Sequence, residues 1–250
     1  MSVATTREES VGIITLDRPP ANALDEAQAD ALAEAVTTLG EDPAVRAVLI
    51  RSARRIFCGG ADIAMMESWS TKPDRGARLR RFTARLQDVF ARIEALPKPS
   101  VAALAGAATG GGLELALACD FRVAGASVKL GLPEVGIGLL PGAGGTQRLT
   151  RLAGPSVAHR LVLGAELVTG RTAEQLGIVQ WATDVDVETE ARALADRLAQ
   201  LPPAAYAAAK RCIVAARGDE GFARELDEIS RLIETPDTAG LLAGFVARAR

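Results

Sequence analysis

Ser100-Val-Ala-Ala-Leu-Ala-Gly106-Ala-Ala-Thr-Gly110-Gly-Gly-Leu-Glu114-Leu-Ala-Leu-Ala-Cys119 is the stretch on which the fold of this chain turns. Ser100–Leu104 follows Pro97 and Pro99 and reads as a strand. Gly106 to Gly112 is glycine-rich and opens a helix, Leu113–Cys119, whose one charged residue is Glu114. A strand that passes through glycines into a helix leaves free N–H groups at the helix start. They carry a partial positive charge and can hold a phosphate or a developing oxyanion. Glu114, in the first turn, has two readings: a carboxylate that complements the helix dipole, or an acid–base group.

Toward the N-terminus, Val11–Leu16 and Ala47–Ile50 read as strands, and Asp17-Arg-Pro-Pro-Ala-Asn-Ala-Leu24 as a proline-punctuated loop. Asp25 caps a helix that runs to about Leu39, with Ala27, Ala31, Ala35 and Leu39 on one face and Gly40 as its stop. Phe57-Cys-Gly59-Gly60-Ala61-Asp62-Ile63 is a second glycine turn, leading from a strand into a short helix; its paired glycines let a backbone N–H face a ligand. A charged helix follows from about Ala77 to Leu96. Toward the C-terminus, Phe121–Ala124 and Ser127–Leu130 read as strands. Then Gly131-Leu-Pro-Glu134-Val-Gly-Ile-Gly-Leu-Leu-Pro141-Gly-Ala-Gly-Gly145 sets Glu134 alone among apolar and glycine residues. Such a carboxylate is either a satisfied structural group or a functional one with a raised pKa. From Gly145 onward the pattern is almost wholly helical: Gly145–Leu152, Ser156–Leu163, Ala173–Leu176, Val187–Leu198, Pro203–Ala215, Gly221–Ile233 and Gly240–Arg250. Strands alternating with helices, then helices alone, give an α/β core with a helical C-terminal region.

The composition narrows the function. With 250 residues, 48% of them hydrophobic, the chain buries a full core and is not disordered. A net charge of −2 with signs intermixed argues against a nucleic-acid groove or a polybasic membrane patch. No apolar run reaches the roughly 18 residues of a membrane span, and the N-terminal stretch lacks a basic segment followed by an apolar one, so no signal peptide is expected. Cys58, Cys119 and Cys212 are too few and too scattered for a disulfide framework or a zinc site, and the expected setting is the reducing cytoplasm. The single histidine, His159, sits in an unremarkable helical stretch and reads as structural. The acid–base groups of an enzyme built on this chain are therefore expected to be carboxylates. Gly106-x-x-x-Gly110-x-Gly112 and Tyr206-x-x-x-Lys210 imitate the short-chain dehydrogenase pattern of a nicotinamide-dependent reductase. Yet the glycine loop lies about a hundred residues into the chain instead of after its first strand, and no serine stands at a sensible distance before Tyr206.

In order along the chain, Val11-Gly-Ile-Ile-Thr-Leu-Asp-Arg-Pro-Pro-Ala-Asn-Ala-Leu24, Phe57-Cys-Gly-Gly-Ala-Asp-Ile63, Pro99-Ser-Val-Ala-Ala-Leu-Ala-Gly106, Gly110-Gly-Gly-Leu-Glu-Leu-Ala116 with Cys119-Asp120, and Leu132-Pro-Glu-Val-Gly-Ile-Gly-Leu-Leu-Pro-Gly-Ala-Gly-Gly-Thr-Gln-Arg-Leu149 together resemble the enoyl-CoA hydratase/isomerase family, the crotonase superfamily. The likeness runs nearly the whole chain, to Gly240-Leu-Leu-Ala-Gly-Phe245. It implies a crotonase-like spiral of repeated β-β-α units over 1–190 and a helical trimerisation region over 191–250, in a homotrimer or dimer of trimers. It implies an acyl-CoA thioester as substrate, with coenzyme A as part of that substrate and no separate cofactor or metal. The thioester oxygen would lie between the N–H groups of Ala61 and Gly111. Glu114 and Glu134 match the two glutamates of hydratases, which add water syn across a 2-enoyl-CoA to give a 3-hydroxyacyl-CoA, as in fatty-acid β-oxidation; Glu134 would supply the α-proton and Glu114 would help activate the water. A double-bond isomerase using Glu134 alone and a non-catalytic acyl-CoA-binding protein are the alternatives. Ala21, Ala23, Ala61, Asp62 and Ile63 would border the CoA, and Phe245 and Arg248 match an aromatic and a basic position of the last helix. Two positions depart from the pattern: Ile233, often aromatic, and Leu132, glutamine in some hydratases. Met65, Met66 and Trp69, the helix after Gly76 and Val135–Leu140 are the expected surroundings of the acyl chain.

Overall fold

In the computed structural model the chain runs β1 (Val3–Glu8), β2 (Val11–Leu16), α1 (Glu26–Glu41), β3 (Ala47–Ser52), α2 (Ile63–Ser68), α3 (Arg75–Ala95), β4 (Ser100–Leu104), β5 (Ala108–Thr109), α4 (Gly111–Ala118), β6 (Phe121–Gly125), β7 (Lys129–Gly131), a 3-10 turn (Pro133–Ile137), α5 (Gly145–Ala158), a π-helical turn (His159–Leu163), β8 (Val168–Thr169), α6 (Gly170–Gln175), β9 (Trp181–Thr183) and α7 (Val187–Ala199), followed by α8 (Pro203–Ala215), α9 (Gly221–Ile233) and α10 (Pro236–Arg248). Residues 2–216, 218 and 220–248 are described, the side chain of Arg248 excepted.

The apolar runs pair into a six-stranded sheet of order β1-β2-β3-β4-β6-β9, parallel except for the β1–β2 hairpin. A smaller sheet, β5-β7-β8, stands beside it. Register explains why the central strands are apolar on both sides. Ile13, Leu49 and Val101 pair side by side and face α7, while their neighbours Ile14, Ile50 and Ala102 pair side by side and face the larger core under α1, α3 and α4. Alternate residues of a strand point to opposite faces, so a sheet covered on both faces needs continuous apolar runs. Each helical excursion returns the chain to the next parallel strand, which winds it into the α/β spiral.

Most helices follow their caps. Asp25 accepts from the Gln28 amide at 2.7 Å and starts α1. The buried face of that helix is Ala29, Leu32, Ala35, Val36 and Leu39, one step round from the expected Ala27 and Ala31. Gly40 does not end it: Lys98 donates to the carbonyls of Leu39 and Asp42 and carries the last turn to Glu41. Gly154 (φ +82) and Pro155 break α5 where two helices were expected.

The described residues divide into two compact units between Ala199 and Gln200. The reason is α7, whose Ala191, Leu194, Ala195 and Leu198 complete the core against the large sheet. The second unit holds α8, α9 and α10. Arg211 of α8 grips Glu228 of α9 through two hydrogen bonds of 2.7 and 2.8 Å. Along α9, Phe222, Leu226, Ile229 and Ile233 form an exposed apolar stripe. Among the described residues no helix is long and apolar enough to cross a membrane.

The C-terminus of α4 is closed by Arg122, only 2% exposed, which donates to the carbonyls of Ala116, Cys119 and Ile178 at 3.2, 2.6 and 2.8 Å. The last carbonyls of a helix have no intrahelical donor, and a cation there also complements the helix dipole. Arg122→Met keeps the bulk and removes the donors. It is expected to destabilise the protein by about 3 kcal/mol in urea denaturation; an unchanged midpoint would show that these carbonyls do not depend on the guanidinium.

Candidate active site

The site is built around a close approach of two backbones. Gly112, in the first turn of α4, leaves no room for a side chain: a Cβ there would run into the Cys58 carbonyl. Gly60 has φ +94, and a Cβ on it would come within 2.9 Å of the Thr109 oxygen and 3.1 Å of the Gly111 nitrogen. The 57–62 turn is stitched in place on either side. Gly59 donates to Ala21, Leu24 to Gly60 and Asp62 to Leu24, each at 2.8 Å, and Thr109 donates to Cys58 at 3.1 Å. Asn22, buried at φ +52, donates to the Ser52 hydroxyl at 2.8 Å and the Phe57 carbonyl at 2.9 Å. The Cys58 thiol donates to the Asn22 carbonyl, and burial pushes its pKa up to about 12.

Two backbone N–H groups come together as a result. Gly111 is the first residue of α4, so its amide has no intrahelical acceptor. The Leu24–Ala61 bridge uses the Gly60 carbonyl and the Asp62 amide and leaves the Ala61 amide out. Neither amide donates to another group among the described residues, and a Cβ on Gly111 would stand 3.5 Å from the Ala61 nitrogen.

Beside these donors lie the two glutamates. The Gly110 carbonyl accepts from the Glu114 amide at 3.0 Å, while the Glu114 carboxylate turns away from its own helix start and accepts from the Gly145 amide at 2.7 Å. Glu114 is 3% exposed. Burial raises its pKa to about 7, the Gly145 amide offsets part of this, and the neighbouring charge of Glu134 raises it further. Glu134 stands on the 3-10 turn, with its carboxylate Oε1 so near Gly110 that a Cβ there would meet it at 2.9 Å. Burial raises its pKa too. Its Oε2 is buried with no hydrogen-bond partner among the described residues, which a structural carboxylate would not leave so.

Ala61, Ile63, Gly111, Glu114 and Glu134 line one cavity of about 540 Å³. Its far wall is the helical face Leu79, Phe82, Thr83 and Leu86 of α3, closed by Met66, Ile137, Leu139 and Leu140. Met65 and Trp69 pack instead against the core, Trp69 edge-on to Phe82. Ala21 and Ala23 border the 57–62 turn without lining the cavity, and Ala23 offers its carbonyl to Arg18 at 2.9 Å. Asp62 is engaged structurally: it caps α2 through the Met65 amide and pairs with Arg18 at 2.7 Å, which together hold its pKa below the usual carboxylate range. Phe245 lies on α10 in the second unit, 67% exposed, and the side chain of Arg248 lies outside the described residues. The residue that the sequence reading missed is Gly145, whose amide holds Glu114; its signal was the Gly144-Gly145 pair at the start of α5. Among the described residues, no group of three or more His, Cys, Asp or Glu side chains is placed to hold a metal ion.

The buried Glu114 has a consequence for stability. With a folded-state pKa near 7 against 4.5 for the free group, the folded protein keeps a proton that the unfolded chain releases between those values, so stability falls as pH rises through that window. Glu114→Gln abolishes this and is expected to stabilise the protein by about 3 kcal/mol more at pH 8 than at pH 4. Thermal or urea unfolding at the two pH values reads the difference; an equal effect at both would show that Glu114 does not bind its proton more tightly on folding.

The profile of the family described as enoyl-CoA hydratase/isomerase matches residues 6–241. A crotonyl-CoA hydratase of Syntrophomonas wolfei is 42% identical over 180 residues, which cover 71% of this chain and 67% of that protein. The 2,3-dehydroadipyl-CoA hydratase of Escherichia coli is 36% identical over 248 residues, covering 97% of this chain and 94% of that one. The crystal structure of an enoyl-CoA hydratase from Bacillus anthracis superposes with a TM-score of 0.91 at 31% identity, covering 99% and 97% of the two chains. With a family profile spanning nearly the whole sequence and the same fold throughout, this chain belongs to the enoyl-CoA hydratase/isomerase family and has the crotonase fold.

Proposed function

We propose that this protein is an enoyl-CoA hydratase, adding water reversibly to a 2-enoyl-CoA to give the 3-hydroxyacyl-CoA. The observation that carries the reading is the pairing of the buried Glu114 carboxyl with the half-buried Glu134 carboxyl, whose buried Oε2 has no partner, beside two free backbone amides in one apolar-walled cavity. The thioester oxygen sits between the Ala61 and Gly111 amides. Withdrawal of electrons toward that oxygen makes Cβ electrophilic, and the enolate that forms on attack is held by the same two donors at the positive end of α4.

The carboxyls divide the proton work. Burial raises the pKa of both carboxyls, and the charge of Glu134 adds to the rise at Glu114. The Gly145 amide favours the anion on Glu114, and the unpartnered oxygen of Glu134 favours the acid there. Water held between them attacks Cβ and gives its proton to Glu114, while Glu134 gives its proton to Cα. After product leaves, the next water returns the proton from Glu114 to Glu134. Delivery of hydroxyl and proton from one carboxyl pair gives syn addition. Ala21, Ala23 and Ile63 border the CoA chain, beside the turn that carries the Ala61 amide. The exposed stripe on α9 is the surface that assembly into a trimer would cover.

Purified protein is expected to abolish the enoyl-thioester absorbance of crotonyl-CoA and of longer 2-enoyl-CoAs. Glu134→Gln should lower turnover at least ~10²-fold, the loss of a general acid, with acyl-CoA binding retained. Near-wild-type hydration by that variant overturns the assignment. Shift of a 3-enoyl-CoA to its 2-enoyl isomer without hydration would make the protein an isomerase.

A further inference from the structure

The Gly145 amide that meets Glu114 belongs to a corner of chain with a brace of its own. Arg148, one turn into α5, folds back over Gly144. Its Nη1 donates to the Ala143 carbonyl at 2.9 Å, and its backbone N–H donates to the Gly144 carbonyl at 2.8 Å. The guanidinium lies so close over Gly144, at φ +110, that a Cβ there would run into it. From the other side Glu94, near the end of α3, takes Nε and Nη2 on one oxygen at 3.3 and 3.2 Å. The Arg148 side chain is 10% exposed and that of Glu94 23%. A charged pair this sheltered, tied to the main chain of a glycine corner, has a geometry to maintain.

We propose that Arg148, braced by Glu94, is a positioning residue for Glu114: it fixes the Ala143–Gly145 corner so that the Gly145 amide meets the carboxylate. An amide held in place before the reaction stabilises the anion without reorganising during it. Arg148 also acts on Glu114 by charge, favouring the ionised form. The other charges facing Glu114 are few. The 3-10 turn brings Glu134, and α3 brings Glu94, spent on Arg148; the remaining charged side chains of this half of α3, Arg85, Asp88 and Arg92, are exposed and pair with Asp30 or with each other. α4 and β5 bring no other charge.

The positioning rests on the hydratase reading only for its effect on turnover, so the test has a second readout. Protein labelled with ¹³C at glutamate carboxyls is titrated by NMR, with Glu114 assigned by comparison with Glu114→Gln, and the pH profile of crotonyl-CoA hydration is recorded alongside. Arg148→Gln removes the cation, so Glu114 is expected to titrate at higher pH and the acid limb of kcat to move with it. Arg148→Lys keeps the charge and loses the fork: its titration should stay closer to wild type while kcat falls about 10-fold or more, with KM changed less, as misplacement of a catalytic group does. Glu94→Gln releases the brace but keeps the Arg148 cation, so kcat should fall with KM changed less, while the Glu114 titration moves less than in Arg148→Gln. A wild-type kcat in Glu94→Gln, or an Arg148→Gln variant whose Glu114 titrates like wild type, would overturn the proposal. If Arg148→Gln fails to fold, Arg148→Lys and Glu94→Gln decide: a wild-type kcat in either overturns the proposal. Absence of hydration by the wild type with the NMR displacements intact would sink the hydratase reading and leave the positioning standing.

Discussion

Between the 57–62 turn and the start of α4 the two backbones pass so closely that the gap admits two N–H groups and no side chain. That proximity is possible only with glycine at 60 and 112, and it is kept by hydrogen bonds that tie the turn to Ala21–Leu24 on one side and Thr109 on the other. Its consequences spread through the core. α4 has to be buried along its whole length to bring its N-terminus to this point, so its residues are apolar and its far end needs the buried Arg122. The one carboxylate on that helix must live without bulk water, which sets its proton affinity.

The two glutamates are alike in chemistry and unlike in surroundings. Glu114 has an amide donor and a nearby arginine; Glu134 has one oxygen with no partner and a neighbouring glycine in place of a cation. Environment alone can split one residue type into a proton acceptor and a proton donor. The split is drawn in the main chain: the amide comes from a glycine corner, and the missing Cβ of Gly110 leaves the room that Oε1 of Glu134 occupies.

Much of this was legible in the sequence, because the strongest signals come from residues whose chemistry leaves few options. Apolar runs marked β2, β3 and β4 as strands, though that both their faces are covered came only with the structure. Paired glycines and lone carboxylates among apolar residues marked both turns and both glutamates. β1 was missed because all but Val3 of its six residues are exposed and polar or small, as on a sheet edge. β8 and β9 are two and three residues long, too short to have a period. The end of α1 lies past Gly40 because Lys98, a long-range partner that no local pattern contains, takes the carbonyls of its last turn and its Asp42 cap. The same limit hid Gly145: a backbone amide has no letter in the sequence, and only the fold reveals which one points at Glu114.

The donors at Ala61 and Gly111 are main-chain groups, and every amino acid except proline has an N–H. In the proposed reaction, polarisation of the carbonyl would therefore survive substitutions that leave this backbone in place, whereas the carboxyls and the α3 wall are ordinary side chains that one codon can change. Inheritance in such a molecule is uneven. In the proposed hydratase, a change at Glu114, Glu134, Leu79 or Phe82 would alter the proton chemistry or the acyl pocket while the two backbone donors that hold the thioester persist. A scaffold with its electrophile-activating apparatus written in backbone is thus free to diversify its reactions without first relearning how to hold the substrate.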